Sequence, residues 1–256
     1  SQLQNWVTDQ SVSRALLPPA LCATLAQAEI PPALHTVFTG GGPVFPDILD
    51  ALKIAKPDLR LVCVYGSTEA EPIAHLDEKE IKAPHRSAML SGAGLLVGRP
   101  VDDIRIRIVA HEIQVAGAHV NQGYLNPAHD AENKEKDAGV TWHKTGDAGH
   151  FDDAGQLWLL GRAASQVVID GAPVFPFSIE VAARQWDGVV HCALIDVDAI
   201  PCLVIQGDAR FKPIWDNLAA GLGIGHVLHI ARMPLDKRHA SKVDLPALRR
   251  VCAKMI

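Results

Sequence analysis

Hydrophobic and polar positions fall into several rhythms along the chain, each marking a different kind of element. His35 to Thr39 and Leu59 to Tyr65 are short, mostly apolar runs that read as buried strands. A helical segment lies between them, from about Pro46 to Lys56. Two parallel strands joined by a helix predict an α/β layer with ligands at the carboxyl ends of its strands. Ile104, Ile106 and Ile108 alternate with Arg105 and Arg107, the mark of a strand with one apolar face, and Glu112 to Gly117 reads as another. Near the start, a helix-like period through Leu16, Leu21, Leu25 and Ala28 is interrupted at Pro18-Pro19 and ends near Pro31-Pro32. Beyond residue 188 the pattern predicts strands near 189–196 and 200–206, a helix near 209–220, a strand near 226–230 and a last helix from about Pro246. This is a compact α+β unit.

Between the two regions lies Trp142 to Glu180, the richest stretch in turn and strand signals. It holds a Thr145-Gly146-Asp147 turn, a tight Asp152-Asp153-Ala154-Gly155 turn, and an apolar strand from Leu157 to Leu160 closed by Gly161-Arg162. A hairpin follows, Val167 to Ile169 and Val174-Phe175 about Asp170-Gly171, and Pro176 opens a helix carrying Ile179 and Glu180. Asp147 is placed to accept hydrogen bonds from a cis-diol such as a ribose. An Asp in a Gly-rich turn is more often an ordinary turn former.

Two strand ends carry chemistry of their own. Gly40-Gly41-Gly42-Pro43 lets backbone approach a flat ligand, although a tight strand-to-helix turn is the commoner reason for such glycines. At the next strand end, Tyr65 offers a ring face for a purine, Thr68 a hydroxyl for a phosphate oxygen, and Glu69 a hard carboxylate for Mg2+.

Thr145-Gly146-Asp147, the Asp152 to Gly155 turn, Gly161-Arg162 and Gly171-x-x-Val174-x-Pro176-x-x-Ile179-Glu180 resemble, in order and spacing, the adenylate-forming enzymes. That superfamily comprises acyl-CoA synthetases, peptide-synthetase adenylation domains and luciferases. Val64-Tyr65-Gly66-Ser67-Thr68-Glu69-Ala70 matches its aromatic-Gly-x-Thr-Glu signature without a gap, and the glycine-proline turn matches its adenine segment. The resemblance implies ATP and Mg2+ as cofactors and a carboxylic acid as the other partner, with CoA or a carrier protein as a further candidate. It places adenine by Gly41, Gly42, Pro43 and Tyr65, counts Gly66 and Ser67 among the nucleotide-binding residues, and puts phosphate at Thr68, Mg2+ at Glu69, and ribose at Asp147 and Arg162. It puts a hinge near 162–166, where Ser165 departs from the family's Asp or Lys.

The family's catalytic Lys corresponds to Lys242, preceded here by Ser241 in place of Gly. A mobile ammonium suits acyl adenylation, because a carboxylate must meet the α-phosphate while both are negative; a basic run such as this one is otherwise a solvated loop. The Pro234-x-Asp236-x-Arg238-His239-x-x-Lys242 pattern is most similar to the olefin β-lactone synthetases. His111 departs from a family Gly, and only Ala110-His111 separates two strands. Ala-His is poor hairpin chemistry, so residues missing at this point are expected, with a true tight turn as the alternative.

The fold expected is thus α/β followed by α+β. Residues 1–162 form the back part of a large adenylation domain, a mixed sheet with helices and a small β subdomain, and residues 163–256 form a small C-terminal lid domain. No Ser/Thr/Gly-rich phosphate loop with its Lys is present and the chain starts at Ser1, so a piece of a longer enzyme and poor catalysis alone are expected. The alternative is a non-catalytic nucleotide-binding or interaction module. With 256 residues and 48% hydrophobic content the chain can bury a sizeable core, and a net charge of −5 argues against nucleic acid as a partner. The 5 cysteines, widely spaced in apolar runs, read as reduced thiols of a cytoplasmic protein. The 12 histidines show no ligand spacing, and no apolar run reaches a membrane span.

Overall fold

A computed structural model describes residues 2–236 and 242–256. The chain divides into two compact units, Ser1–Arg86 with Leu96–Leu159, and Ser87–Leu95 with Leu160–Ile256.

The first unit begins with α1 (Gln2–Asp9), β1 (Arg14–Leu17), α2 (Pro19–Ala26), β2 (Thr36–Gly40), α3 (Pro46–Ala55) and β3 (Arg60–Ser67). The three strands run parallel, aligning Leu16 with Phe38 and Phe38 with Val62. The parallel layer predicted from the two apolar runs is present. The helical period through Leu16 is not, because residues 14–17 form β1. Pro18 is extended, at φ −67° and ψ 156°, and Pro19 opens α2, so the proline pair separates a strand from a helix. Buried Cys22 on α2 donates its thiol to Thr39 Oγ1 of β2 at 3.4 Å, locking the helix onto the strand.

The chain continues through β4 (Ala70–Asp77), α4 (Ala83–Leu90), β5 (Leu95–Pro100), β6 (Ile104–Val109), β7 (Glu112–Gly117), α5 (Asp130–Asn133), β8 (Lys134–Asp137), β9 (Val140–Phe151) and β10 (Leu157–Arg162). Ten strands form one sheet in the order β1-β2-β3-β4-β5-β10-β9-β7-β6, with β8 beside β9. The alternating β6 and the following β7 pair as predicted, Val109 facing Glu112 across Ala110-His111. Both turn residues are left-handed, at φ 47° and 71°. This is the two-residue turn whose twist suits a hairpin, here without glycine, at roughly 1 kcal/mol per residue. The hairpin therefore closes without additional residues.

Thr145-Gly146-Asp147 is not a turn. It lies inside β9, a strand of 12 residues. Gly146 sits at φ 70°, and the pairing of β7 with β9 shifts register between Glu112 and Gln114, so the glycine marks a bulge within the strand.

The second unit holds the hairpin of β11 (Val167–Ile169) and β12 (Ala172–Val174), then α6 (Phe177–Ala183), β13 (Val189–Val197), β14 (Ile200–Gly207), α7 (Lys212–Ala220), β15 (His226–Ile230) and α8 (Leu245–Cys252). Asp170 and Gly171, at φ 50° and 80°, make the predicted hairpin turn, and Pro176 caps α6. β13, β14 and β15 form a sheet in that order. Its pleat sends Cys192, Leu194, Leu203 and Ile205 into a core with Ile179 of α6 and Trp215 of α7. Ala193, Ile195, Cys202 and Val204 enter a second core with Leu248 and Cys252 of α8. Helices thus cover both faces of three strands, the α+β arrangement read from the sequence. All five cysteines are buried, and among the described residues none forms a disulfide.

Candidate active site

The site in the first unit is built where β3 turns into β4. Ser67 faces Ala70, which leaves Thr68 and Glu69 as the two turn residues, Thr68 exposed and Glu69 half-buried. Gly66 is required by packing, since a Cβ there would lie 2.9 Å from the Ala70 carbonyl oxygen. Upstream, a Cβ on Gly40 would meet the Val64 carbonyl oxygen at 2.5 Å, whereas Gly41 is exposed and left-handed at φ 74°. Gly42 and Pro43 follow in the bend before α3. Gly40 is therefore set by the neighbouring strand, and Gly41 by the turn.

Tyr65 and Asp147, 82 positions apart, meet in space. The Tyr65 hydroxyl donates to Asp147 Oδ2 at 2.9 Å. The bulge explains how β9 presents this carboxylate. Thr145 Oγ1 donates to the Ile113 carbonyl at 2.8 Å and accepts from the Asp147 amide at 3.1 Å, while the Gly146 amide donates to Glu112 Oε1 at 3.2 Å. Side chains thus take up backbone groups that the interrupted ladder leaves over.

Glu69 has a partner that the sequence reading passed over. The Tyr124 hydroxyl donates to Glu69 Oε1 at 2.9 Å, and the Asn121 amide donates to the Glu69 carbonyl at 2.7 Å. Burial pushes the Glu69 carboxyl up, but the Tyr124 hydroxyl, the backbone amide of Glu69, the His143 ring and the Ser67 hydroxyl together hold the group below its usual range. Burial and the Glu69 carboxylate push the Tyr124 phenol up to about 12, so it stays a neutral donor. Ser67 Oγ lies close enough to favour the ionised Glu69, yet among the described residues it is buried without a well-formed hydrogen bond. Lys134 sits over the Tyr124 ring, its Nζ 5.3 Å from the centroid. In the sequence Tyr124 is one residue of a loop, and its partner lies 55 positions away.

Two expected site residues belong to the second unit. Arg162 ends β10 and is exposed; Gly161 before it, at φ 110°, lies against the Pro176 ring, where a Cβ would come within 3.2 Å of Cδ. Lys242 is exposed; beside it a bridge pairs Leu235 with Val243, and the Asp236 amide donates to the Lys242 carbonyl at 2.7 Å. Ser241, Arg238 and His239 lie outside the described residues. Ser165 lies in a short 3-10 turn, Ala163–Ser165, directly after β10.

No protein-family model matches the chain. Individual relatives do. An olefin beta-lactone synthetase of Stenotrophomonas maltophilia is 29% identical over 267 residues, 88% of this chain and 48% of its own length. A 2-succinylbenzoate--CoA ligase of a Geobacillus species is 31% identical over 216 residues, 78% of this chain and 41% of its own. In three dimensions the chain is similar to an amide bond synthetase of Marinactinospora thermotolerans, with a TM-score of 0.78 at 22% identity over 98% of this chain and 55% of that one. The chain belongs to the adenylate-forming superfamily. It spans about half the length of the curated relatives it matches. As a member of that superfamily it has a mixed α/β sheet and a smaller α+β unit, with Tyr65 and Asp147 joined and Glu69 braced in the first unit.

Proposed function

We propose that the protein activates a carboxylic acid with ATP. A carboxylate oxygen bonds to the α-phosphorus, the bond from that phosphorus to the bridging oxygen breaks, and pyrophosphate leaves with the electron pair. The reading is carried by the Tyr65–Asp147 hydrogen bond, because it joins a ring suited to a purine to a carboxylate suited to a ribose diol. Gly41, Gly42, Pro43 and Tyr65 are assigned to the adenine, Gly66 and Ser67 to the nucleotide more broadly, Asp147 and Arg162 to the ribose, and Thr68 to a phosphate oxygen.

The oxygen donors at the β3–β4 turn fit a hard divalent cation: an ionised carboxylate at Glu69, an exposed hydroxyl at Thr68 and the buried hydroxyl of Ser67. Glu69 would hold Mg2+, which when bound offsets phosphate charge. Lys242 is assigned to the charge that builds as carboxylate and α-phosphate meet. The segment 162–166 serves as the hinge, and its rotation would replace Lys242 by the 171–173 turn for a second half-reaction.

The acid is assigned to the fatty or 3-hydroxy fatty class, on the likeness of the 234–242 pattern to the olefin β-lactone synthetases. The adenylate then passes to CoA or a carrier thiol, or its own 3-hydroxyl displaces AMP to close a β-lactone. Mass spectrometry of products from ATP, Mg2+ and a long-chain 3-hydroxy acid, with and without CoA, tests this. A CoA-independent product lighter than the acid by one water supports the lactone, and a CoA-dependent thioester supports the ligase. Absence of AMP with every acid supports a nucleotide-binding module without catalysis.

A further inference from the structure

We propose that Tyr124 is a positioning residue for Glu69, holding one oxygen of that carboxylate on a neutral donor so that a nearby ammonium does not neutralise it. The inference rests on the adenylation reading, in which Glu69 must remain an available anion.

Residues 121–134 grip Glu69 at both backbone and side chain. The Asn121 amide takes its carbonyl at 2.7 Å and the Tyr124 hydroxyl takes Oε1 at 2.9 Å. Tyr124 is itself anchored, its amide donating to Asp130 Oδ1 at 2.9 Å and its ring meeting the edge of His129 with centroids 6.1 Å apart.

Lys134 is the competing cation. Its Nζ donates to the Asn121 carbonyl and lies 5.3 Å over the Tyr124 ring. The described ion pairs include none between Lys134 and Glu69. A Lys paired directly with Glu69 would cancel the charge that a divalent cation needs, whereas a phenol orients the carboxylate without cancelling it. The ring thus both donates to the carboxylate and supplies a face on which the ammonium rests.

The test counts bound Mn2+ by electron paramagnetic resonance, in the presence of a non-hydrolysable ATP analogue, on the full chain. Tyr124→Phe is expected to weaken Mn2+ binding about tenfold, the scale of one hydrogen bond to a charged group. Lys134→Gln alone is expected not to weaken it, and adding Lys134→Gln to Tyr124→Phe should recover most of the loss. Unchanged Mn2+ affinity in Tyr124→Phe, or a double variant as weak as the single one, overturns the inference. A wild-type chain that binds the analogue but no Mn2+ overturns the assignment of Glu69 to the cation, and the inference with it.

If Tyr124→Phe does not fold, the wild type answers through fluorine NMR. The chain has 2 tyrosines, so 3-fluorotyrosine gives two lines, and the Tyr124 line is the one that Lys134→Gln shifts. Bound Mn2+ should broaden that line. A Tyr124 line that stays sharp with Mn2+ bound overturns the inference.

Discussion

Replacing Glu180 with Gln should remove a pH-dependent weakness from the second unit. Glu180 sits on α6, and its carboxyl group is enclosed although the residue as a whole keeps some exposure. Burial lifts it from 4.5 to about 7, against the opposing pull of the Leu194 amide, which donates to Oε1 at 2.8 Å, and of Arg184. The folded value therefore lies above the unfolded one. Stability from this group is fully present below about pH 4.5 and is lost as pH rises to about 7, because the unfolded chain ionises first. At about 1.4 kcal/mol per pH unit, the loss by pH 8 is roughly 3 kcal/mol. Gln keeps an acceptor for the Leu194 amide and cannot ionise, while its amide hydrogens need a partner, at a cost of about 1 kcal/mol. Urea unfolding followed by circular dichroism should then give a variant slightly weaker than wild type at pH 5 and about 2 kcal/mol stronger at pH 8. The same pH dependence in both proteins would refute the reasoning.

Three further outcomes follow from the geometry. Gly98→Ala should destabilise the first unit by about 2–4 kcal/mol in thermal unfolding, because a Cβ at φ 91° would sit 2.2 Å from the His75 carbonyl oxygen on β4. Tyr65→Phe should weaken ATP binding by calorimetry about tenfold, by freeing Asp147 from the hydroxyl that orients it; equal affinity would show that the hydrogen bond does not serve the nucleotide. Lys242→Ala should nearly abolish acid-dependent pyrophosphate release while ATP binding persists, and unchanged release would remove Lys242 from the chemistry.

The second unit was legible almost throughout from sequence. Its strands alternate cleanly because each faces a separate core, as Cys192 and Leu194 do on one side and Ala193 and Ile195 on the other. Asp170-Gly171 also carried its turn type openly, since both residues adopt a positive φ with little strain. β1 was not legible: four residues before a proline pair are too few to show a period of two, and Leu16, which fits the helical period that follows, is 70% exposed on a strand. Gly146 was misread as a turn because a bulge is defined by its partner strand β7, which lies some thirty positions earlier in the chain. In the candidate site, Tyr65, Glu69 and Asp147 were readable as residue types in a motif. Tyr124 was not, because its meaning is a contact with Glu69 across 55 positions.

The most direct test of the account is calorimetric binding of ATP and of 2′,3′-dideoxy-ATP to the wild-type chain and to Asp147→Ala. If Asp147 holds the ribose diol, the wild type should prefer ATP by about tenfold or more, and Asp147→Ala should bind both nucleotides with the same weakened affinity. ATP binding that is undiminished in Asp147→Ala, or a wild type that does not distinguish the two nucleotides, would contradict it.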